Sequence, residues 1–145
     1  MSYPVREIVG NFLSVVAGVL IALIIIIPIG IFAGLMVFSD GSLPKSQQII
    51  SGTLLIGGIA AGCIAGGYFT VRISTRKDLI HGFITGLVLT FLFGLINDFE
   101  FDWRYPDLSI SYLGILPAVL IGAWAGIRKK KKVISNMFSS PPGTP

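Results

Sequence analysis

The stretch from Ile8 to Ser39 carries no charged residue over 32 positions. Within it, Ile21 to Ile27 is wholly apolar, and five of its seven residues are isoleucine. A helix needs only about 20 apolar residues to cross the hydrocarbon of a bilayer. Three more apolar runs follow, so the chain reads as an integral membrane protein. Composition agrees: 53% of residues are hydrophobic and 12% charged, about half the charge of a soluble domain. Mean hydropathy is +0.84.

The expected fold is all-α, with four transmembrane helices packed as a compact bundle. The spans fall at about 12–38, 49–71, 79–96 and 108–127. They form one domain over 1–138, which includes a basic juxtamembrane segment at 128–138. Residues 139–145, Ser-Ser-Pro-Pro-Gly-Thr-Pro, are expected to be disordered. The first span is longer than the roughly 30 Å hydrocarbon core. Pro28, near its middle, is the expected bend, because proline removes one helical hydrogen bond. The run is too long for a cleaved signal peptide.

Basic residues set the orientation. Arg6, Arg72, Arg76, Lys77, Arg128, Lys129, Lys130, Lys131 and Lys132 fall on one side, and only Lys45 and Arg104 on the other. Both termini are therefore expected in the cytoplasm. The same cations are expected to meet anionic lipid headgroups there. The net charge of +4 is concentrated at membrane edges and does not point to nucleic acid.

Each span carries small residues four apart, which share a helix face. The second has Gly58, Gly62 and Gly66. The third has Gly82 and Gly86, continuing to Thr90 and Gly94. The fourth has Gly114, Ala118, Gly122 and Gly126. The first has Ser14, Gly18 and Ala22, then Gly30 and Gly34. Such rows let helix backbones approach closely in lipid, so they are expected to be helix-packing surfaces; a glycine-lined pore is the competing reading. Gly58, Gly62, Gly66 and Arg72 match Gly114, Ala118, Gly122 and Arg128 at a constant offset of 56, as duplication or coincidence would give.

Chemistry-bearing residues are sparse. The spans hold no Asp, Glu, Lys or Arg, which weighs against an ion-coupled transporter. His81, the sole histidine, falls at the start of the third span, where an interfacial, solvated imidazole is expected. A pH-sensing role is chemically open to it. Asp78 is placed to cap that helix. Cys63, the sole cysteine, reads as a small packing residue. No catalytic, cofactor or metal site is expected. Between the last two spans Phe99, Phe101, Trp103 and Tyr105 alternate with Glu100, Asp102 and Arg104, as in an interfacial aromatic belt. In the tail, Val133, Ile134, Met137 and Phe138 share one helical face after the lysines, a pattern suited to an anionic membrane surface.

The segment Gly57-Gly58 through Gly62, Gly66-Gly67 and Tyr68, then Arg72, then His81-Gly82 and Gly86, resembles small prokaryotic membrane proteins with four helices. These belong to domain-of-unknown-function families. The resemblance covers about residues 50 to 95. It implies a four-helix protein of a prokaryotic cytoplasmic membrane and brings no activity. The expected function is a non-enzymatic bundle that self-associates or partners other membrane proteins. A passive channel or neutral-solute carrier is the alternative, and a holin-like pore former a third reading.

Overall fold

A computed structural model describes residues 3–38, 45–74, 79–96 and 114–129. These form four helices: α1 (Tyr3–Phe38), α2 (Lys45–Ile73), α3 (Leu79–Ile96) and α4 (residues 114–129). Two begin earlier than the apolar runs suggest. Pro4 falls in the first turn of α1, where a missing N–H costs nothing. Arg6, Glu7 and Asn11 are polar but do not break a helix, so α1 continues down to Tyr3. Likewise α2 takes in Lys45 to Gln48, which the sequence assigns to a polar turn. The acidic aromatic segment, Asp78 and the tail beyond Lys129 lie outside the described residues, as do 108–113 of the expected fourth span.

Helices α1, α2 and α3, of 36, 29 and 18 residues, are long and apolar enough to cross a membrane. With sixteen described residues, α4 spans about 24 Å, at about 1.5 Å per residue. The helical assignment of α1 is continuous through Pro28. The outer surface is apolar: Ile8, Phe12, Ile24, Leu35, Phe91 and Ile96 are all more than half exposed. Water-soluble monomers rarely tolerate contiguous surface of this kind.

The core is built from Val19, Ala22 and Ile26 of α1, Ile59 and Cys63 of α2, Leu89 of α3, and Ile115, Ala118 and Val119 of α4. Contacts along the helices fix their directions. Ile29 lies against Gly58, Ile26 against Gly62, and Gly18 against Gly66 and Thr70, so α1 and α2 are antiparallel. Gly122 lies against Ile64 and Gly126 against Tyr68, so α2 and α4 are parallel. Gly82 meets Ala123, and Gly86 meets Leu116 and Val119, which makes α3 and α4 antiparallel. Helix α2 is thus covered by α1 on one face and by α4 on another.

The closeness of these contacts follows from the absent side chains. A Cβ on Gly66 would lie 2.7 Å from the Gly18 carbonyl oxygen, and one on Gly126 would lie 2.9 Å from that of Tyr68. A Cβ on Gly122 would collide with the Ile64 carbonyl, and one on Gly67 with that of Val119. Toward Lys45, α1 and α2 separate. At Gly58 only the Ile29 side chain is near, and a Cβ on Gly57 would meet nothing within 4 Å. The separation opens a groove of about 490 Å³ lined by Pro28, Ile29, Phe32, Thr53, Gly57 and Ala61, among others.

Candidate functional site

Apart from Ser51 near the start of α2, the buried polar side chains of the described residues gather at one end of the bundle, where α1 and α3 begin and α2 and α4 end. The antiparallel registers bring them there. Ser14, Thr70, Ser74 and Thr85 are fully or almost fully buried. In an apolar surround a hydroxyl is satisfied most simply by the carbonyl one turn back. Thr70 Oγ1 donates to the Gly66 carbonyl at 2.8 Å, Thr85 Oγ1 to that of His81 at 2.9 Å, and Ser14 Oγ to that of Asn11 at 2.7 Å. Links between helices add to these. Thr70 Oγ1 and Thr85 Oγ1 are 3.1 Å apart, joining α2 to α3. Ser74 Oγ donates to Asn11 Oδ1 at 3.3 Å, joining α2 to α1. Thr70 also fills the space left by the absent side chain of Gly18. Three helices therefore meet at one threonine.

His81 belongs to this buried layer. It is one turn from Thr85, on the face of α3 that also buries Gly82, Gly86 and Leu89. Only 9% of it is exposed, and its Nδ1 has no hydrogen-bond partner. The sequence reading of a headgroup-solvated imidazole does not match this placement. A basic neighbourhood suggests exposure, but the face on which residue 81 falls is the packed one.

Beside the buried layer, on α2 and α4, lie cations and aromatic rings. The Arg72 guanidinium lies 5.7 Å from the Tyr68 ring centre, and Arg72 also donates to the Tyr68 hydroxyl. Lys129 Nζ, from α4, is 6.0 Å from the same ring. Arg128 stacks on Trp124 at 3.9 Å. Arg72, Arg128 and Lys129 are exposed. Arg76, Lys77, Lys130, Lys131 and Lys132 lie outside the described residues.

The small-residue rows divide by neighbour. Gly58, Gly62 and Gly66 face α1, Gly82 and Gly86 face α4, and Gly122 and Gly126 face α2. Ala118 is in the core, whereas Gly114 is exposed with open space where a Cβ would be. The offset of 56 does not carry over into like contacts. Gly66 meets α1, but its counterpart Gly122 meets α2; Gly58 meets Ile29, but Gly114 meets nothing. Gly67, Tyr68, Thr70, Thr85 and Trp124 were not singled out by the spacing. The signal for the threonines was their hydroxyls inside apolar runs, near the ends of two consecutive spans.

Among the described residues no three His, Cys, Asp or Glu side chains come together. Cys63 is buried and free. Chemically, this end offers hydroxyls, one amide and one imidazole inside, with cations outside. The described residues form an all-helical structure with three helices of membrane-crossing length. Compared with family models, curated proteins and solved structures, the chain matches none.

Proposed function

We propose that this chain is a non-enzymatic bundle of four membrane helices, with both termini cytoplasmic, that associates with itself or with other membrane proteins. A prokaryotic cytoplasmic membrane is its proposed site, in keeping with the resemblance noted above. One observation carries the association: the open groove between α1 and α2. Thr53, Gly57 and Ala61 are four apart, exposed, and turned toward it with Pro28 and Phe32. Within the bundle, rows of this kind are where helices touch. A row that touches no described helix of its own chain is suited to receive one from another. The interior supports this reading over a channel through the monomer, because Ile26, Ile59, Leu89 and Ile115 form an apolar layer beyond the polar end.

The test is cross-linking in native membranes, with Gly57→Leu and Ala61→Leu introduced together. Wild type should give a discrete higher species, and the double variant should lose it while keeping its helicity. A wild-type chain that runs only as a monomer and captures no partner would remove the proposal. Solute flux through reconstituted vesicles above that of lipid alone would replace it with the channel. A periplasmic reporter should be silent after Pro145 and active near Ser42; the reverse pattern would overturn the orientation.

A further inference from the structure

We propose that Arg72, Tyr68 and Lys129 form a binding site for the phosphate of an anionic phospholipid. The site is assembled by the α2–α4 contact. Gly126 allows the backbones of α4 and α2 to touch at the Tyr68 carbonyl. Three residues further along α4, Lys129 then comes to lie against the Tyr68 ring, at 6.0 Å. Arg72, one turn beyond Tyr68 on α2, reaches the same ring at 5.7 Å and the same hydroxyl. Two cations from two helices are thereby held on one aromatic ring.

Both cations are exposed and open to an anion. Like charges brought together raise each other's energy, and an aromatic ring attracts each of them only modestly. An anion that reached both cations would be attracted by each. Arg offers a planar fork matched to phosphate oxygens, and Lys a point charge beside it. The Tyr68 ring fixes the direction from which both approach.

The flanks favour a lipid over free phosphate. Phe69, edge-on to Tyr68 at 5.4 Å, and Ile73 are both exposed and apolar next to the cations. Free phosphate makes no use of such surface, whereas an acyl chain covers it. The site also lies at the end of helices of membrane-crossing length, the depth at which headgroups sit.

Native mass spectrometry of the full chain, released from neutral detergent, tests the proposal. Phosphatidylglycerol, phosphatidylcholine and inorganic phosphate are each titrated into wild type, Arg72→Gln, Lys129→Gln and, as a control at the far end of α2, Lys45→Gln. Wild type should retain one phosphatidylglycerol in preference to phosphatidylcholine, and Lys45→Gln should do the same. Arg72→Gln and Lys129→Gln should each weaken retention about tenfold, the loss of one charge-assisted hydrogen bond. Tyr68→Phe, which keeps the ring and removes the hydroxyl, should weaken it less. Equal retention of the two lipids by wild type would overturn the site, and so would Arg72→Gln and Lys129→Gln variants that bind as wild type does. Retention of inorganic phosphate at the same concentrations, competing with the lipid, would show that the site reads free phosphate and would overturn the assignment to lipid.

Discussion

The two faces of α2 use the same residue in different ways. Toward α1, Gly58 and Gly62 are notches that receive the Ile29 and Ile26 side chains. Toward α4, Gly67 lies under the Val119 carbonyl, while Gly122 and Gly126 of α4 lie under the Ile64 and Tyr68 carbonyls. At Gly58 and Gly62 the first face packs side chain into glycine, reaching backbone contact with Gly18 only at Gly66, whereas the second packs backbone against backbone throughout. An isoleucine can change rotamer or tilt when its notch is filled. A carbonyl fixed in a helical hydrogen bond cannot. The α4 face should therefore be rigid toward substitution and the α1 face forgiving at Gly58 and Gly62 but not at Gly66, although both are built from glycine.

Gly122→Ala should expose the difference most strongly. Its methyl would meet the Ile64 backbone, so the cost should be at or above about 3 kcal/mol, the upper end for overpacking. Unfolding by SDS titration in neutral micelles measures it. A variant as stable as wild type would mean that α2 and α4 do not touch.

Gly62→Ala should cost less, about 1–2 kcal/mol, because the nearest atom is Ile26 Cγ1 at 2.5 Å and that side chain can yield. The Ala22 carbonyl oxygen, at 3.0 Å, limits how far the helices can close. In an Ile26→Ala background, which lacks Cγ1 and Cδ1, the cost of Gly62→Ala should shrink. If the two changes are merely additive in a double-mutant cycle, the methyl is not meeting Ile26 and the notch picture fails.

Thr70→Val sharpens the comparison where the α1 face meets α3. It removes the hydroxyl that fills the Gly18 gap and reaches Thr85, at an expected cost of about 1 kcal/mol. The same titration reads it, and a loss as large as that of Gly122→Ala would make Thr70 the stronger joint. Gly114→Ala should have the smallest effect, and of opposite sign. With no neighbour for the new methyl, alanine should stabilise α4 by up to about 1 kcal/mol through helix propensity. Any destabilisation would mean that Gly114 has a partner in the membrane.

What could be read from the sequence follows the same division. Spacing by four picks out one face of a helix, so the row from Gly58 to Gly66 was visible. Gly67 is adjacent to that row and points about 100° away, and nothing in the spacing marks a second contact surface on α2. The helical extent of α1 was hidden for a different reason. Hydropathy marks where a helix enters lipid, not where its hydrogen bonding stops, so Arg6, Glu7 and Asn11 looked like a flank. His81 was obscured by its neighbours: Arg76, Lys77 and Asp78 suggest water, whereas the packed face of α3 decides the burial.

The Thr70–Thr85 contact has a consequence that concerns protons rather than atoms. Each hydroxyl carries one hydrogen. Three short oxygen–oxygen approaches converge on the pair: to the Gly66 carbonyl, to the His81 carbonyl, and between the hydroxyls themselves. Two hydrogens cannot fill three bonds. If Thr85 points at Thr70, the His81 carbonyl loses its hydroxyl; if Thr70 points at Thr85, the Gly66 carbonyl does. Neither carbonyl is orphaned, because each still accepts the helical amide four residues on. The two arrangements are therefore close in energy and exchange by rotating O–H bonds, with every heavy atom in place. The joint between α2 and α3 is fixed in shape and reversible in polarity.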